Sequence, residues 1–269
     1  MIDRDGIERP DNPSEHMLTI KNTNRKVKFD ENYSFRPRNI FQRMWLSFFR
    51  RFAITVFHIH WDFAQTVKLR NKKNLKGLRK KGFVIVVNHV NMFDDVSVCS
   101  TIFHWRMVYF TTLEQNIRRP MIGFYLRSLG GIPIPVSSVS GMRKFESDVS
   151  ELLKKGIPVI YNPETALWPY YREIRPFKRG AFSMAVKSDV PVLPITITFK
   201  RKKKRNGKFK YKMFLNIGEL IERDKNLSDK EASEKLMNDT HAYMSKVAKE
   251  FYETEKCGFD DENDKKQGK

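Results

Sequence analysis

Cysteine is scarce in this chain of 269 residues, which contains two, Cys99 and Cys257. Two cysteines so far apart do not make the dense disulfide framework of a small secreted domain, and their spacing matches no common zinc motif. We therefore expect a protein of a reducing compartment that holds no metal ion.

Long uncharged apolar stretches are absent as well. Within residues 38–63, the most aromatic part of the N-terminal region, arginines interrupt the apolar residues well before the roughly 20 that a membrane-spanning helix needs. The first residues include Asp3, Asp5 and Glu8, which are not typical of a secretory signal peptide. The sequence thus argues against a spanning helix in this region and against a secretory leader.

Acidic residues are also in short supply, with 31 Asp and Glu against 51 Lys and Arg, a formal net charge of +20 and a pI near 9.9. Such a balance indicates anionic partners: phosphates, an acidic membrane surface, an acidic carrier protein or nucleic acid. Basic stretches at Asn71–Lys81 and Arg201–Arg205 make a nucleic-acid-binding protein an alternative function. Beyond charge, however, the sequence has no nucleic-acid-binding signature.

What the chain does have is an alternation of short apolar runs with helical patterns, which favours an α/β fold with a mixed, largely parallel sheet flanked by helices. The predicted strands are Phe83–Val87, Met107–Thr112, Ile132–Val136, Val159–Tyr161, Val190–Phe199 and Phe209–Ile217. The predicted helices are Val96–Trp105, Met121–Leu129, Met142–Lys155, Gly180–Lys187 and Ser228–Tyr252. The two prolines in Ile132–Val136 favour an edge strand or an extended segment.

Composition divides the chain into four parts. Residues 1–37 are a polar lead-in that we expect to be loosely ordered or irregular, and residues 64–252 form the α/β domain, without internal repeat or further boundary. Residues 253–269 are a polar tail that we expect to be disordered.

Residues 38–63 form an amphipathic helical segment with two interpretations of equal weight. Such a helix either packs on the core or lies in a membrane interface, where its arginines contact lipid phosphates. Its apolar residues at helical spacing are Phe41, Met44, Trp45, Phe48, Phe49, Phe52, Val56, Ile59 and Phe63, and its arginines are Arg43, Arg50 and Arg51.

The most informative stretch is the end of the apolar run Phe83–Val87, where Asn88 and His89 follow at once. Open α/β sheets bind ligands at the carboxyl ends of their strands. Asp94 follows His89 by five positions, so a tight loop can bring its carboxylate to one ring nitrogen and leave the other as a base. The alternative is that Asp94 only caps the next helix, because Asp is a favoured N-cap.

Four motifs occur in order along the chain. The first is Asn88-His89 to Asp94, and the second is Gly130-Gly131-Ile132-Pro133-Ile134. The third is Pro163-Glu164-Thr165 with the trailing Pro176–Ala181, and the fourth is Val190–Pro194. Together they cover about residues 64–220, and they resemble the four motifs of the glycerolipid acyltransferases, the lysophosphatidate acyltransferase family.

Two motifs depart from the family pattern. Val136 stands where the second motif usually has an arginine that contacts the acceptor's phosphate. In the third motif, usually Pro-Glu-Gly-Thr-Arg, Thr165 takes the place of the glycine and Leu167 that of the arginine. Substitute cations are Arg143 and Lys144, in the first turn of a helix expected to start near Met142, or Arg172, Arg175 and Lys178.

The resemblance implies acyl transfer, with His89 as general base and Asp94 orienting it. The acyl donor would be an acyl-CoA or an acyl-carrier-protein thioester, with no further cofactor, and the acceptor a lysophospholipid or glycerol phosphate. An anionic membrane surface and not nucleic acid is then the expected partner, at the cytoplasmic face of the cell membrane and in a peripheral or monotopic arrangement. A lipid-binding relative without catalysis is a further alternative. The expected substrate contacts are Asn88, Glu164, Thr165, Arg143, Arg175 and Lys178.

Overall fold

A computed structural model of the chain describes residues 1–17, 27–35, 37, 39–57, 59, 67–205, 209–255 and 257–258. Its strands are β1 (Lys68–Arg70), β2 (Val84–Val87), β3 (Tyr109–Leu113), β4 (Gly131–Ile134), β5 (Val159–Tyr161), β6 (Val192–Lys203) and β7 (Phe209–Ile217). Its α-helices are α1 (Ile40–Phe57), α2 (Asp94–Thr101), α3 (Glu114–Arg118), α4 (Pro120–Leu129), α5 (Val139–Lys154), α6 (Gly180–Ser188) and α7 (Asp229–Thr254). A 3-10 helix covers Lys72–Leu75.

The strands form one seven-stranded sheet in the order β1-β7-β6-β2-β5-β3-β4. All neighbouring pairs are parallel except the hairpin of β6 and β7. The central strand β2 reads Val-Ile-Val-Val, and all four residues are buried, as its continuous β-branched pattern predicts for a strand covered on both faces. The predicted α/β fold with a mixed, largely parallel sheet is confirmed, and β4 with its proline is an edge strand, as predicted.

Two apolar clusters cover the two faces of the sheet. Ile85 and Val87 belong to one cluster and Val84 and Val86 to the other, because successive side chains of a strand point to opposite faces. Helix α2 contributes Val98 to the first cluster, while α5, α6 and α7 contribute to the second. The sheet is therefore the rigid base from which the loops after its strands extend.

Local sequence signals set several helix ends. Pro120 is the first residue of α4, and Gly130 ends it with a left-handed φ of 103° that suits glycine. Ser228 and Glu231 make the predicted capping box at the start of α7. Helix α5 begins earlier than the predicted Met142, because the Ser138 side chain caps it by accepting a hydrogen bond from the amide of Gly141.

The lead-in is irregular, as expected, and some of its described residues are buried in the fold. Phe29 and Phe35 are 2% exposed, and Arg9 is 3% exposed. Residues 18–26 lie outside the described residues, and so do residues 259–269 of the predicted tail.

Helix α1 lies within the predicted amphipathic segment and packs on α2 and α4. The prediction that Arg50 contacts lipid phosphates is wrong, because Arg50 is buried and donates a 3.0 Å hydrogen bond to the carbonyl of Arg106. Arg43 and Arg51 are exposed. Among the helices that the structure describes, none combines the length and the apolar character needed to cross a membrane.

Candidate active site

His89 follows β2 and is held by the carboxylate of Asp94. Its Nδ1 lies 3.2 Å from Oδ2 of Asp94, and the same oxygen accepts hydrogen bonds from the amides of Val90 at 2.7 Å and Asn91 at 2.9 Å. Helix α2 starts at Asp94, and Phe93 occupies its N-cap position without a side-chain bond. The alternative in which Asp94 only caps the helix is therefore wrong: its carboxylate closes the loop around His89.

Asp94 also sets the charge of the histidine ring. Burial lowers the pKa of His89, but the hydrogen bond and charge of Asp94, together with the charges of Asp95 and Glu164, outweigh it, so that the pKa lies above its ordinary value. An Nδ1–H that donates to Asp94 leaves the Nε2 lone pair to accept a proton. The side chain of His89 is 21% exposed, so a substrate can reach it.

Glu164, after β5, ties three backbone segments together. Its Oε2 accepts from the amide of His89 at 2.9 Å, and its Oε1 accepts from the amide of Arg175 at 2.9 Å. Glu164 and Arg175 also form a 2.7 Å ion pair, and both side chains are buried. The predicted substrate contacts of Glu164 and Arg175 are corrected accordingly, since neither side chain is open to a ligand and both stabilise the loop that carries His89.

Asn88 has a similar structural role. Its Nδ2 donates to the carbonyl of Ile197 at 3.0 Å, and its Oδ1 accepts from the amide of Ile197 at 2.7 Å. The side chain thus extends the pairing of β2 with β6 where the strand itself ends. Both polar atoms are occupied and the residue is 1% exposed, so the predicted substrate contact of Asn88 is corrected too.

Thr165 and Lys178 remain available for a ligand, because both are exposed. Lys178 is fixed by its amide, which donates to the carbonyl of Pro163 at 2.8 Å. Thr165 has a φ of 63°, in the left-handed region that glycine adopts without cost and a β-branched residue does not. The left-handed backbone at this position explains why glycine is expected in the third motif. Thr165 adopts the same conformation at an energetic cost.

Arg143 is exposed. It belongs to α5, which follows β4, and β4 lies three strands from β2, or roughly 14 Å at the usual strand spacing. The expectation that Arg143 lies in the first turn of its helix is wrong, because α5 already starts at Val139. Its contact with an acceptor phosphate stays a prediction.

Sequence reasoning missed Asn162 and Asp95. The Nδ2 atom of Asn162 lies 3.1 Å from Nδ1 of His89. Burial raises the pKa of Asp95 to about 7, although the charge of His89 and a hydrogen bond from Asn162 lower it. Asn162 directly follows β5, and only the strand order, with β5 beside β2, brings it to His89.

The first residues of the chain were missed as well. The indole Nε1 of the buried Trp168 donates to the carbonyl of Glu15 at 2.8 Å, and the amide of Leu167 lies 3.4 Å from Nδ1 of His16. Nothing in the composition of the lead-in indicates this contact.

Comparison with known proteins matches residues 66–198 to the family model described as Acyltransferase. A chloroplastic 1-acyl-sn-glycerol-3-phosphate acyltransferase, BAT2 of Brassica napus, is 32% identical over 118 residues, which are 42% of this chain and 32% of the relative. A 1-acyl-sn-glycerol-3-phosphate acyltransferase of Chlamydomonas reinhardtii is 30% identical over 155 residues, which are 55% of this chain and 45% of the relative. The chain thus spans less than half the length of these curated relatives.

The fold also matches a solved structure, the 1-acyl-sn-glycerophosphate acyltransferase PlsC from Thermotoga maritima. The match has a TM-score of 0.51 and 22% sequence identity, and it covers 75% of this chain and 78% of that chain. The shared architecture is the mixed, largely parallel sheet flanked by helices.

Proposed function

The chain belongs to the acyltransferase family, and we propose that it moves a fatty acyl group from a thioester to the hydroxyl of a lysophospholipid or glycerol-phosphate acceptor. The proposed donor is an acyl-CoA or an acylated carrier protein. The names of the curated relatives and the net charge of +20 support an acceptor that carries phosphate.

One observation carries this proposal: the 3.2 Å contact between Nδ1 of His89 and Oδ2 of Asp94, at the carboxyl end of the central strand. A carboxylate that is itself fixed by two backbone amides holds the ring in one orientation. The opposite nitrogen then faces outward as a base, which is the arrangement of a histidine in a hydrolase triad.

In the proposed reaction the acceptor supplies the nucleophile. Nε2 of His89 takes the proton of the acceptor hydroxyl as its oxygen attacks the thioester carbonyl. Asp94 stabilises the imidazolium that forms. When the tetrahedral intermediate collapses, the carbon–sulfur bond breaks and His89 returns the proton to the leaving thiolate, so the enzyme ends as it began.

Cations near the carboxyl edge of the sheet are the proposed acceptor contacts. Lys178 and Thr165 follow β5, the direct neighbour of β2, and both are exposed. Arg143 would serve a head group that extends toward the edge strand β4. An exposed lysine acts as a point charge for phosphate, whereas arginine can bind it with two parallel hydrogen bonds.

We also propose that the protein docks on an anionic membrane surface without crossing it, at the cytoplasmic face of the cell membrane. The supporting feature is an exposed apolar surface made by two packed helices, in which Phe49 of α1 contacts Phe124 of α4 with 5.7 Å between ring centroids. Exposed apolar patches of this kind mark interaction sites. The exposed members are Ile40, Phe41, Met44, Trp45, Phe48, Phe52, Met121, Ile122, Phe124 and Tyr125.

Acyl transfer is tested with purified protein, a panel of lysophospholipids and glycerol phosphate, and both kinds of thioester, with products identified by mass spectrometry. We expect a new acyl ester with at least one donor and acceptor pair, and none with His89→Ala. Absence of product with every pair would overturn the proposed activity, and an equal yield from His89→Ala would overturn the proposed base.

Membrane docking is tested by co-sedimentation with anionic vesicles, with duplex DNA as the competing anionic partner. We expect binding to the vesicles that weakens at high salt, and that weakens further when Trp45 and Phe48 are both replaced by serine. Preferential binding to DNA would favour the nucleic-acid-binding alternative. Resistance to high salt, with protease-protected fragments on both sides of the bilayer, would contradict docking on one leaflet.

A further inference from the structure

Residues 1–17, here called the N-terminal strap, lie across the loop Ala166–Arg175 that follows the third motif. Arg9 donates to the carbonyl of Pro169 at 3.1 Å, and the indole of Trp168 donates to the carbonyl of Glu15 at 2.8 Å. The strap is therefore attached to this loop at several points along its length, although it lies outside the matched residues 66–198.

Buried ion pairs fix the strap in place. Arg9 and Asp3 pair at 2.7 Å within the strap, and Asp5 pairs with Arg172 of the loop at 3.0 Å. All four side chains are at most 10% exposed. Detaching the strap would separate Asp5 from Arg172, which is costly when one partner stays buried. The arrangement is thus a defined part of the fold.

The strap reaches the immediate surroundings of His89. The guanidinium of Arg175 donates to the carbonyl of Pro13 in the strap at 2.9 Å and to the carbonyl of His89 at 3.3 Å. The amide of Trp168 also donates to the carbonyl of His89, at 3.1 Å. One residue before Trp168, the amide of Leu167 points to Nδ1 of His16. His16 is therefore the strap side chain that the loop holds beside the catalytic motif.

The surroundings of His16 determine the protonation state of its ring. A backbone amide that donates to Nδ1 requires that the hydrogen of the neutral ring sits on Nε2. Burial lowers the pKa of His16, and the charges of His89 and Arg175 lower it further. At neutral pH the ring is thus an uncharged donor, and within the described part of the chain no residue accepts from its Nε2.

We propose that His16 is a second active-site histidine, whose Nε2–H donates a hydrogen bond to a substrate oxygen beside His89. This inference rests on the proposed acyl transfer. The oxygen belongs either to the thioester carbonyl of the donor or to the head group of the acceptor. Both are hydrogen-bond acceptors, and kinetics with each substrate varied in turn distinguish them.

The test uses two isosteric replacements that separate the two nitrogens. His16→Asn keeps a polar atom near the position of Nδ1, which the amide of Leu167 contacts, but has nothing near Nε2. His16→Gln reaches the position of Nε2 with an amide N–H. His16→Ala removes both, and His104→Asn is the control for replacing another half-buried histidine. Hydrogen exchange at the indole N–H of Trp168 reports whether the strap stays attached.

We expect His16→Ala and His16→Asn to lower kcat/KM by about 10-fold, the effect of one lost neutral hydrogen bond, and His16→Gln to retain most of it. A loss confined to the KM of the acceptor assigns the oxygen to the head group, and a loss in kcat or in the KM of the donor assigns it to the thioester. The control should match the wild type.

Three outcomes would overturn the proposal. Wild-type kinetics in all three His16 variants, or activity retained by His16→Asn and lost by His16→Gln, would show that Nε2 donates to no substrate. Equal losses in Asn and Gln variants whose strap stays attached would assign the effect to ring shape. If the wild type itself transfers no acyl group, the proposed function fails first, and the role of His16 falls with it.

Discussion

Glu164 and Arg175 form an ion pair of 2.7 Å in which neither side chain is more than 2% exposed. The pair lies at the junction of three segments, because Glu164 also accepts from the amide of His89 and Arg175 also donates to the carbonyl of Pro13. The guanidinium further bonds the carbonyl of Ala166 and stacks on the ring of Trp168 at 4.7 Å. The two residues therefore join the strap, the loop after the third motif and the loop of His89.

Arg175→Ala should destabilise the fold by about 3–5 kcal/mol, because it leaves the carboxylate of Glu164 buried without its counter-charge. Urea unfolding followed by tryptophan fluorescence measures this change. The exposed Arg179→Ala, four residues on, is the matched control and should change the unfolding free energy by less than about 0.5 kcal/mol. Similar small effects from both variants would mean that Arg175 is not a structural residue.

His89→Ala should reduce acyl transfer by about 10²–10⁴-fold, the usual effect of removing a general base. The fold should persist, since Oδ2 of Asp94 keeps its hydrogen bonds to the amides of Val90 and Asn91. Product formation and thermal melting are measured on the same preparation. Activity within a few-fold of the wild type, at unchanged melting temperature, would contradict the proposed mechanism.

Asp94→Asn should impair transfer severely and change its pH dependence. The charge of Asp94 raises the pKa of His89, so activity of the wild type should rise with pH through a midpoint above the ordinary histidine value of about 6.5. Without that charge the midpoint should move to lower pH, although the maximum rate falls. A pH profile of kcat/KM checks this, and an unchanged midpoint would show that Asp94 does not act on His89.

Asp95→Asn should change how stability depends on pH. The folded-state pKa of about 7 lies above the ordinary value near 4, so the folded protein binds more protons than the unfolded chain between these pH values. The contribution of Asp95 to the stability of the wild type is therefore largest below pH 4, and it falls as the pH rises to 7. Three pH units correspond to at most about 4 kcal/mol. Unfolding of the Asn variant should lack this decline, while an identical pH dependence would contradict the shifted pKa.

Thr165→Gly should stabilise the protein by up to about 1 kcal/mol. A β-branched residue in the left-handed conformation costs about 1–2 kcal/mol, and glycine removes this cost. Part of the gain is lost because glycine gives the unfolded chain more conformational freedom. Denaturant unfolding measures the change, and Thr165→Ala is the control, because alanine keeps the left-handed strain. If glycine destabilised the protein, the threonine hydroxyl or methyl would have to make a contact that outweighs the strain.

The periodic elements were predictable because their signals are local. The apolar run at β2, the proline and glycine that bound α4 and the capping box of α7 each act within a few residues, and the structure confirms them. The contact of His89 with Asp94 also follows from a five-residue spacing. Boundaries were less accurate, as in α2, where the hydrogen bonds of Asp94 to the preceding loop start the helix two residues before the predicted Val96.

The rest of the site could not be predicted because it depends on contacts between distant segments. Asn162 and His89 meet only because β5 pairs with β2, and the strap meets its loop at separations such as 153 residues between Glu15 and Trp168. Burial also decides which charges are open to a ligand. Arg50 and Arg175 look like surface cations in the sequence, but the fold places both in its interior.

The pairing of Asn88 with Ile197 joins residues 109 positions apart along the chain. During translation, strand β2 therefore emerges from the ribosome long before either strand that will flank it. Synthesis proceeds at about 5–20 residues per second, so several seconds or more pass between the appearance of Val84–Val87 and that of β6. During this time the four apolar residues of β2 are uncovered. Such an interval exposes an aggregation-prone strand, and the nascent chain should bind holdase chaperones until about residue 200 has emerged from the ribosome. The loop of His89 can lock only then, so ribosome-bound fragments that end before β6 should be inactive and protease-sensitive at this loop.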